Sequence, residues 1–237
     1  MNRILFEKSE IAGGEATFGG VRAEHVLGIL HGEVGQVVKT GEIDGPIGTS
    51  VITAIGEGRI TVRCTHAAES LRPWVNLILA PPRPRVMKRL LPQLATMGVG
   101  TIVLVGAKKV EKDFWGATLL KPENYRPLLV DGLMQAGTSI LPRLELRRNF
   151  RKFVREEMDA LLPSPNRIVA HPYGKPEDAG RPRQSGGMLT LAIGPEGGWT
   201  DEEVELLEAC GFVRHSLGAR ILRTDTATIA LLARFMG

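Results

Sequence analysis

A chain of 237 residues with 43% hydrophobic and 24% charged residues has the composition of a soluble globular protein, which excludes a disordered, fibrous or disulfide-stapled class. The formal net charge of +4 and sequence pI of about 9.3 leave arginine-rich surface for an acidic partner such as nucleic acid, but charge alone assigns none. Cys64 and Cys210 lie far apart without metal-ligand spacing, and no basic leader or run near the roughly 20 apolar residues of a membrane span is present, so the expectation is a cytoplasmic chain with no metal and no membrane contact.

From the start of the chain to about residue 70, glycine pairs and β-formers dominate. Gly13-Gly14, Gly19-Gly20, Gly45-Pro46 and Gly56-Glu57-Gly58 punctuate short strands such as Val34–Lys39, Ser50–Ile55 and Arg59–Cys64. A small barrel over residues 1–70 is predicted, interrupted by a helix at Arg22–Leu30 with Val26, Leu27 and Leu30 on one face. Beyond it, over residues 74–237, apolar runs alternate with helical periodicity. Val75–Ala80 is a buried strand stopped by Pro81-Pro82-Arg83-Pro84; the helix Val86–Met97 buries Leu90, Leu91, Leu94 and Met97 and turns Lys88 and Arg89 outward; Thr101–Val105 is the next strand. Further helices are predicted around Tyr125–Leu133 and over Phe150–Leu162, and strands at Arg167–His171, Met188–Ile193 and Phe212–Ser216. The fold class is therefore α/β with a mainly parallel sheet, and Gly174–Gly187 reads as an exposed loop.

Two loops at strand ends carry the chemistry. Ile193-Gly194-Pro195-Glu196-Gly197-Gly198 follows the strand ending at Ile193 and precedes a helix opened by the capping box Thr200-Asp201-Glu202-Glu203. Ligands of open α/β sheets bind at the carboxyl ends of strands, where glycine lets the backbone approach them. Glu196 and the absence of a P-loop Lys-Ser/Thr pair argue against phosphate and for a neutral or cationic ligand. The second loop, Leu217-Gly218-Ala219-Arg220-Ile221-Leu222-Arg223, again joins a strand to a helix, opened by Thr224-Asp225-Thr226 and apolar through Ala227, Ile229, Ala230, Leu231 and Leu232. Either loop alone is compatible with a simple turn; two on consecutive strand ends point to a binding site.

These residues, Ile193–Gly198 with Leu217-Gly218 and Ile221-Leu222-Arg223-Thr224-Asp225-Thr226-Ala227, resemble the ribosomal RNA small subunit methyltransferase E family. The resemblance is dense over 188–237 and thinner at Lys109–Lys112, Ala170-His171-Pro172 and Arg22–Val38. It implies a SPOUT domain with a trefoil knot behind an N-terminal PUA-like barrel, a homodimer, and methylation of N3 of one uridine in 16S ribosomal RNA of the small subunit by S-adenosylmethionine (SAM). It also implies that SAM is held by Ile193, Gly194, Pro195 and Gly197 on one side and Leu217, Gly218, Ile221 and Leu222 on the other. The chain departs from the family at Met134-Gln135-Ala136-Gly137, where Glu-Gln and a basic residue are usual, at His31, where arginine is usual, and at Asp225, where glutamate is common.

Uracil N3 is a poor nucleophile until it loses its proton, so the chemistry needs a base or a cation that stabilises the uracil anion. Arg223 is the expected cation, with Asp225 or Glu196 orienting it or accepting the proton; Asp225 also reads as a plain helix cap. His171 reads as structural, as do Trp115 and Trp199, although either tryptophan has a face on which a base can stack. Arg22, Arg59, Arg63 and Arg72 on the barrel and Lys88 and Arg89 on the first α/β helix are the expected phosphate contacts. Two other readings stay open: a non-catalytic RNA-binding or ribosome assembly factor on the same fold, and a SPOUT methyltransferase acting on another RNA site.

Overall fold

The computed structural model describes residues 1–173 and 187–236. Most of the segment Gly174–Gly187, read above as an exposed loop, lies outside the described residues. The chain divides into two compact units, Met1–Arg72 with Val130–Leu141, and Pro73–Leu129 with Pro142–Gly237.

The first unit holds six strands and a helix: β1 (Ile4–Phe6), β2 (Ile11–Ala12), β3 (Glu15–Phe18), α1 (Gly20–Gly28), β4 (Val37–Glu42), β5 (Ile47–Gly56) and β6 (Arg59–Ala68). The strands form one sheet in the order β1-β4-β5-β6-β3-β2, antiparallel except for β1 against β4. Glu57 and Gly58, both at positive φ, make the tight turn between β5 and β6 whose twist suits an antiparallel hairpin. Along β3 and β4 buried and exposed residues alternate, as in a sheet with one covered face. That face packs Ile4, Phe6, Phe18, Val26, Ile52 and Ile60 into one core, with the Phe6 and Phe18 rings 5.5 Å apart. Helix α1 ends at Gly28, so Leu30, expected on its buried face, lies beyond it and is exposed.

The segment Val130–Leu141 was not expected in this unit. The backbone N–H groups of Asn2 and Arg3 donate to the Met134 carbonyl, and the Arg3 guanidinium donates to the carbonyls of Gly137 (3.0 Å), Thr40 (2.6 Å) and Gly48 (2.8 Å). The family departures at Met134–Gly137 thus fall where backbone carbonyls, which any residue supplies, make the contacts.

The second unit is a parallel sheet in the order β12-β10-β11-β7-β8-β9. Its elements are β7 (Val75–Leu79), α2 (Pro84–Thr96), β8 (Val99–Val105), α3 (Pro122–Ala136, which crosses into the first unit), β9 (Arg143–Arg147), a continuous helical stretch of α4 (Phe150–Lys152), a π-turn (Phe153–Glu157) and α5 (Met158–Leu161), then β10 (Asn166–Ala170), β11 (Leu189–Ile193), α6 (Asp201–Ala209), β12 (Val213–His215) and α7 (Thr224–Phe235). Strands β7 and β11 are buried at every position, as parallel strands covered on both faces must be, which is why they appear in the sequence as unbroken apolar runs. The sheet packs Ile78, Val103, Phe150, Phe153, Trp199 and Leu207 in one core cluster.

Strand β9 was missed. Its sequence, RLELR, has a charge at every second position, and it lies at the edge of the sheet, where ion pairs join Arg143 and Arg147 to Glu145 and Arg147 to Glu157. Charged edge strands discourage pairing with other chains, but they carry no apolar signal.

Candidate functional site

Strands β12, β10 and β11 are parallel neighbours, so their carboxyl ends emerge side by side and deliver three loops to one place. The loop after β10 begins Ala170–Tyr173, that after β11 runs through Ile193–Trp199, and that after β12 through Ser216–Arg223. Together with Lys109 they line a cleft of about 480 Å³, within the range of roughly 300–1,000 Å³ usual for small-ligand sites. Both loops singled out in the sequence therefore meet, and all eight residues expected to hold the cofactor, Ile193, Gly194, Pro195, Gly197, Leu217, Gly218, Ile221 and Leu222, line this one cleft.

Hydrogen bonds tie the loops to one another. The Thr224 hydroxyl donates to the Gly194 carbonyl (3.3 Å), the Ser216 hydroxyl donates to the Pro172 carbonyl (3.0 Å), and the Ser216 oxygen accepts from the Gly218 N–H (3.1 Å). Lys109 reaches across from the segment after β8 and its Nζ donates to the Gly197 carbonyl at 2.8 Å. The expected capping box is present: Thr200 and Glu203 satisfy one another's backbone N–H groups, and the second oxygen of Glu203 accepts from the Lys108 N–H at 2.8 Å. That buried carboxylate fixes the end of the glycine loop to the start of α6.

The glycines are needed for different reasons. Gly218 has φ +112°, which a side chain adopts only under strain, whereas a Cβ on Gly194 would press on Trp199 at 3.1 Å and one on Gly197 on the Lys109 side chain at 3.0 Å. Backbone polar groups between the apolar side chains Ile193, Leu217, Ile221 and Leu222 give a cradle suited to a purine nucleoside with a short charged tail. SAM, a cation with an adenosine body, fits this lining.

Two histidines lie in the wall. His171 is held below its ordinary pKa chiefly by burial and then by Arg214, against the opposing pull of Asp201 and Glu208; His215, almost wholly buried against the Phe235 ring, is lowered by burial and by Arg234. Neither ring nitrogen of His215 has a partner among the described residues. The loop after β10, which includes His171, Pro172 and Tyr173, was not assigned to the site from sequence; its signal was a strand ending in His-Pro.

Of the expected chemical residues, Glu196 lines this cleft, whereas Arg223 and Asp225 are not part of its lining. Arg223 is the N-cap residue of α7 and is exposed, with Nε 3.5 Å from Asp225 Oδ1, which also accepts from the Thr226 N–H at 3.0 Å. Arg223 and Glu196 line an adjoining cleft of about 870 Å³ that shares Glu196, Ile221 and Leu222 with the first. Trp199 packs on Phe150 with ring centroids 5.2 Å apart, and Trp115 lies edge-on to Phe114 with Arg148 above it, so both tryptophans are engaged in packing.

Of the six expected RNA contacts, Arg22 is committed within its own unit. Its guanidinium pairs with Glu10 at 2.5 Å, donates to the Leu5 carbonyl and lies over the Phe6 and Phe18 rings. Arg63 pairs with Glu15 and Arg72 with Glu69 on the surface, and Arg59, Lys88 and Arg89 are exposed. Among the described residues no group of His, Cys, Asp or Glu is placed to hold a metal, and no helix is long and apolar enough to cross a membrane.

Comparison with known proteins gives the family. A sequence model of the RNA methyltransferase domain matches residues 69–236. The Treponema pallidum ribosomal RNA small subunit methyltransferase E is 30% identical over 239 residues, covering 98% of this chain and 90% of that protein, and the Synechocystis protein of the same name is 37% identical over 128 residues, covering 49% and 40%. A Legionella pneumophila structure in complex with the bound cofactor SAM superposes with TM-score 0.74 at 25% identity over 99% of this chain and 96% of that one. A ribosomal RNA small subunit methyltransferase E from Neisseria gonorrhoeae bound to S-adenosyl methionine superposes with TM-score 0.77 at 22% identity over 99% and 96%, a likeness of fold. With matches of this extent, the chain belongs to the ribosomal RNA small subunit methyltransferase E family of RNA methyltransferases.

Proposed function

We propose that the protein is a SAM-dependent methyltransferase that modifies N3 of a specific uridine in 16S ribosomal RNA of the small subunit, acting in the cytoplasm as a homodimer. The observation that carries this reading is the convergence of three strand-end loops on one glycine-rich cleft beside a second, arginine-lined cleft. The knot, the PUA-like character of the first unit and the dimer belong to the same reading and rest on family membership.

SAM bound in the first cleft supplies a methyl group on a sulfonium. The glycine and apolar positions of the two loops hold it, so their contribution is positioning, for which effective molarities are worth up to about 7–11 kcal/mol. Arg223 faces the second cleft and stabilises the uracil anion through a carbonyl oxygen; Asp225 fixes the guanidinium, and Glu196 at the shared wall takes the N3 proton. Replacing Arg223 with alanine is expected to lower kcat about 100-fold or more, by analogy with loss of one anion-stabilising donor, while SAM affinity in a calorimetric titration stays unchanged. An unaltered kcat with intact SAM binding removes Arg223 from the chemistry. The SAM titration also separates this reading from that of an assembly factor, which has no use for the cofactor.

Exposed Arg59, Arg63 and Arg72 of the first unit, with Lys88 and Arg89 of α2, are proposed as phosphate contacts. Arg22 is left out, because its guanidinium is already satisfied within the fold.

A further inference from the structure

The second cleft is lined by Arg83, Arg85 and Arg223, with Glu111 and Glu196 and the apolar Ile221, Leu222, Pro84 and Val86. None of these arginines is required for the packing of the unit: all three are exposed. Arg83 reaches Glu111 at 3.3 Å with both side chains about two-thirds exposed, and Arg223 reaches Asp225 only at 3.5 Å. The Arg83–Glu111 pair, exposed on both sides, is weak and readily exchanges its carboxylate for another anion.

The backbone holds two of the arginines in place. Pro84 forces the residue before it out of the helical region, and Arg83 accordingly sits at φ −49° and ψ 146° as the N-cap of α2, with Pro84 at the first helical position. Arg223 occupies the same position on α7 at φ −64° and ψ 152°. The two helices pack against each other, and residues at both amino ends, Arg83–Val86 and Arg223, line the same cleft. Serine, threonine, aspartate and asparagine are the residues that stabilise a helix start, and a cation there opposes the helix dipole; neither helix has a side-chain cap. A chain that places arginine at both helix starts, and a third arginine two residues after the first, forgoes side-chain capping of both helices on one side of one cleft. Such conflicts concentrate where a ligand resolves them, and an anion is the ligand that the guanidinium groups and the two helix amino ends favour.

We infer that this cleft is a phosphodiester subsite, in which Arg83 and Arg85 grip the RNA backbone next to the nucleotide whose base enters toward Arg223, Glu196 and the shared wall. The inference rests on the reading of the protein as an RNA methyltransferase, and it adds to that reading the segment Arg83-Pro84-Arg85, which the sequence showed only as the end of a strand. Planar guanidinium groups favour bidentate contact with phosphate oxygens, and Leu222 and the strongly exposed Ile221 offer apolar surface to a sugar or base edge.

The test is direct binding of single-stranded oligouridylate to the full chain with SAM present, titrated at several salt concentrations, for wild type, the double variant R83Q/R85Q and the double variant R83K/R85K. Removing two phosphate contacts is expected to weaken binding at least tenfold and to reduce the slope of log K against log salt by about 1.4, from the value of about 0.7 per phosphate for single strands. The lysine pair is expected to restore the slope while recovering only part of the affinity. SAM affinity at the wild-type value shows that each variant is folded, and the single variants R83Q and R85Q replace the double one if it is not. Equal affinity and slope in wild type and R83Q/R85Q overturn the inference, as does absence of salt-dependent oligouridylate binding by wild type. Methyl transfer to small-subunit RNA is measured separately: its absence alongside an R83Q/R85Q effect on binding contradicts the functional reading and leaves the subsite standing.

Discussion

At the scale of single residues, the site combines positions that only a few residue types can occupy with positions whose chemistry depends on surroundings. Gly218 at φ +112° is the clearest of the first kind. Alanine there costs about 1–3 kcal/mol of backbone strain. Relief of that strain moves the N–H that bonds Ser216, so G218A is expected to bind SAM at least tenfold more weakly by calorimetry while retaining a cooperative unfolding transition. Wild-type affinity would show that the loop backbone is not part of the cradle. The histidines are of the second kind. His66, His171 and His215 are all held below their ordinary pKa, each chiefly by burial. The unfolded chain therefore binds protons near pH 6.5 that the folded chain refuses, so their contribution to stability is complete above that value and is lost as the pH falls below it toward the folded-state pKa values. Urea unfolding at pH 8 and pH 5.5 is expected to give the lower stability at pH 5.5, and His215→Leu, which removes one of the three groups, is expected to narrow the difference. An undiminished difference would assign the effect to other groups.

At the scale of elements, what the sequence made legible follows from how each element is stabilised. Strands β7 and β11 and helix α2 announce themselves because burial on both faces or on one helical stripe leaves an apolar pattern. The start of α6 could be read to the residue, since Thr200 and Glu203 form a reciprocal cap that the letters themselves display. T200A is expected to cost about 1 kcal/mol, a fall in Tm of roughly 2–4 °C for a chain of this size. E203A is expected to cost more, because Glu203 also satisfies the Lys108 N–H across 95 residues of sequence. An E203A loss no larger than that of T200A would show that the long-range bond adds nothing. Strand β9 and the helical stretch Phe150–Leu161 show the limits: a charged edge strand has no apolar run, and the π-turn at Phe153–Glu157 shifts the register of a helix whose existence was plain. The loop after β10 escaped for another reason. His-Pro becomes a site feature only once β10 is known to lie between β11 and β12, and strand order is a property of the whole sheet.

At the scale of the molecule, the site was legible because its two main loops come from consecutive strand ends within some thirty residues of sequence and match a known family, whereas the arginine-lined cleft joins Arg83 and Arg85 to Arg223 across most of the second unit. The compact units also divide the chain differently from a simple amino- and carboxyl-terminal split, since Val130–Leu141 returns to the first unit through hydrogen bonds made mostly by its own backbone, which its side-chain pattern does not display. The most direct test of the central claim is mass mapping of 16S ribosomal RNA from cells lacking this chain against cells that carry it. The account predicts the loss of one N3-methyluridine, restored by the wild-type chain and not by the Arg223→Ala form. Full retention of every methyluridine in its absence would contradict it.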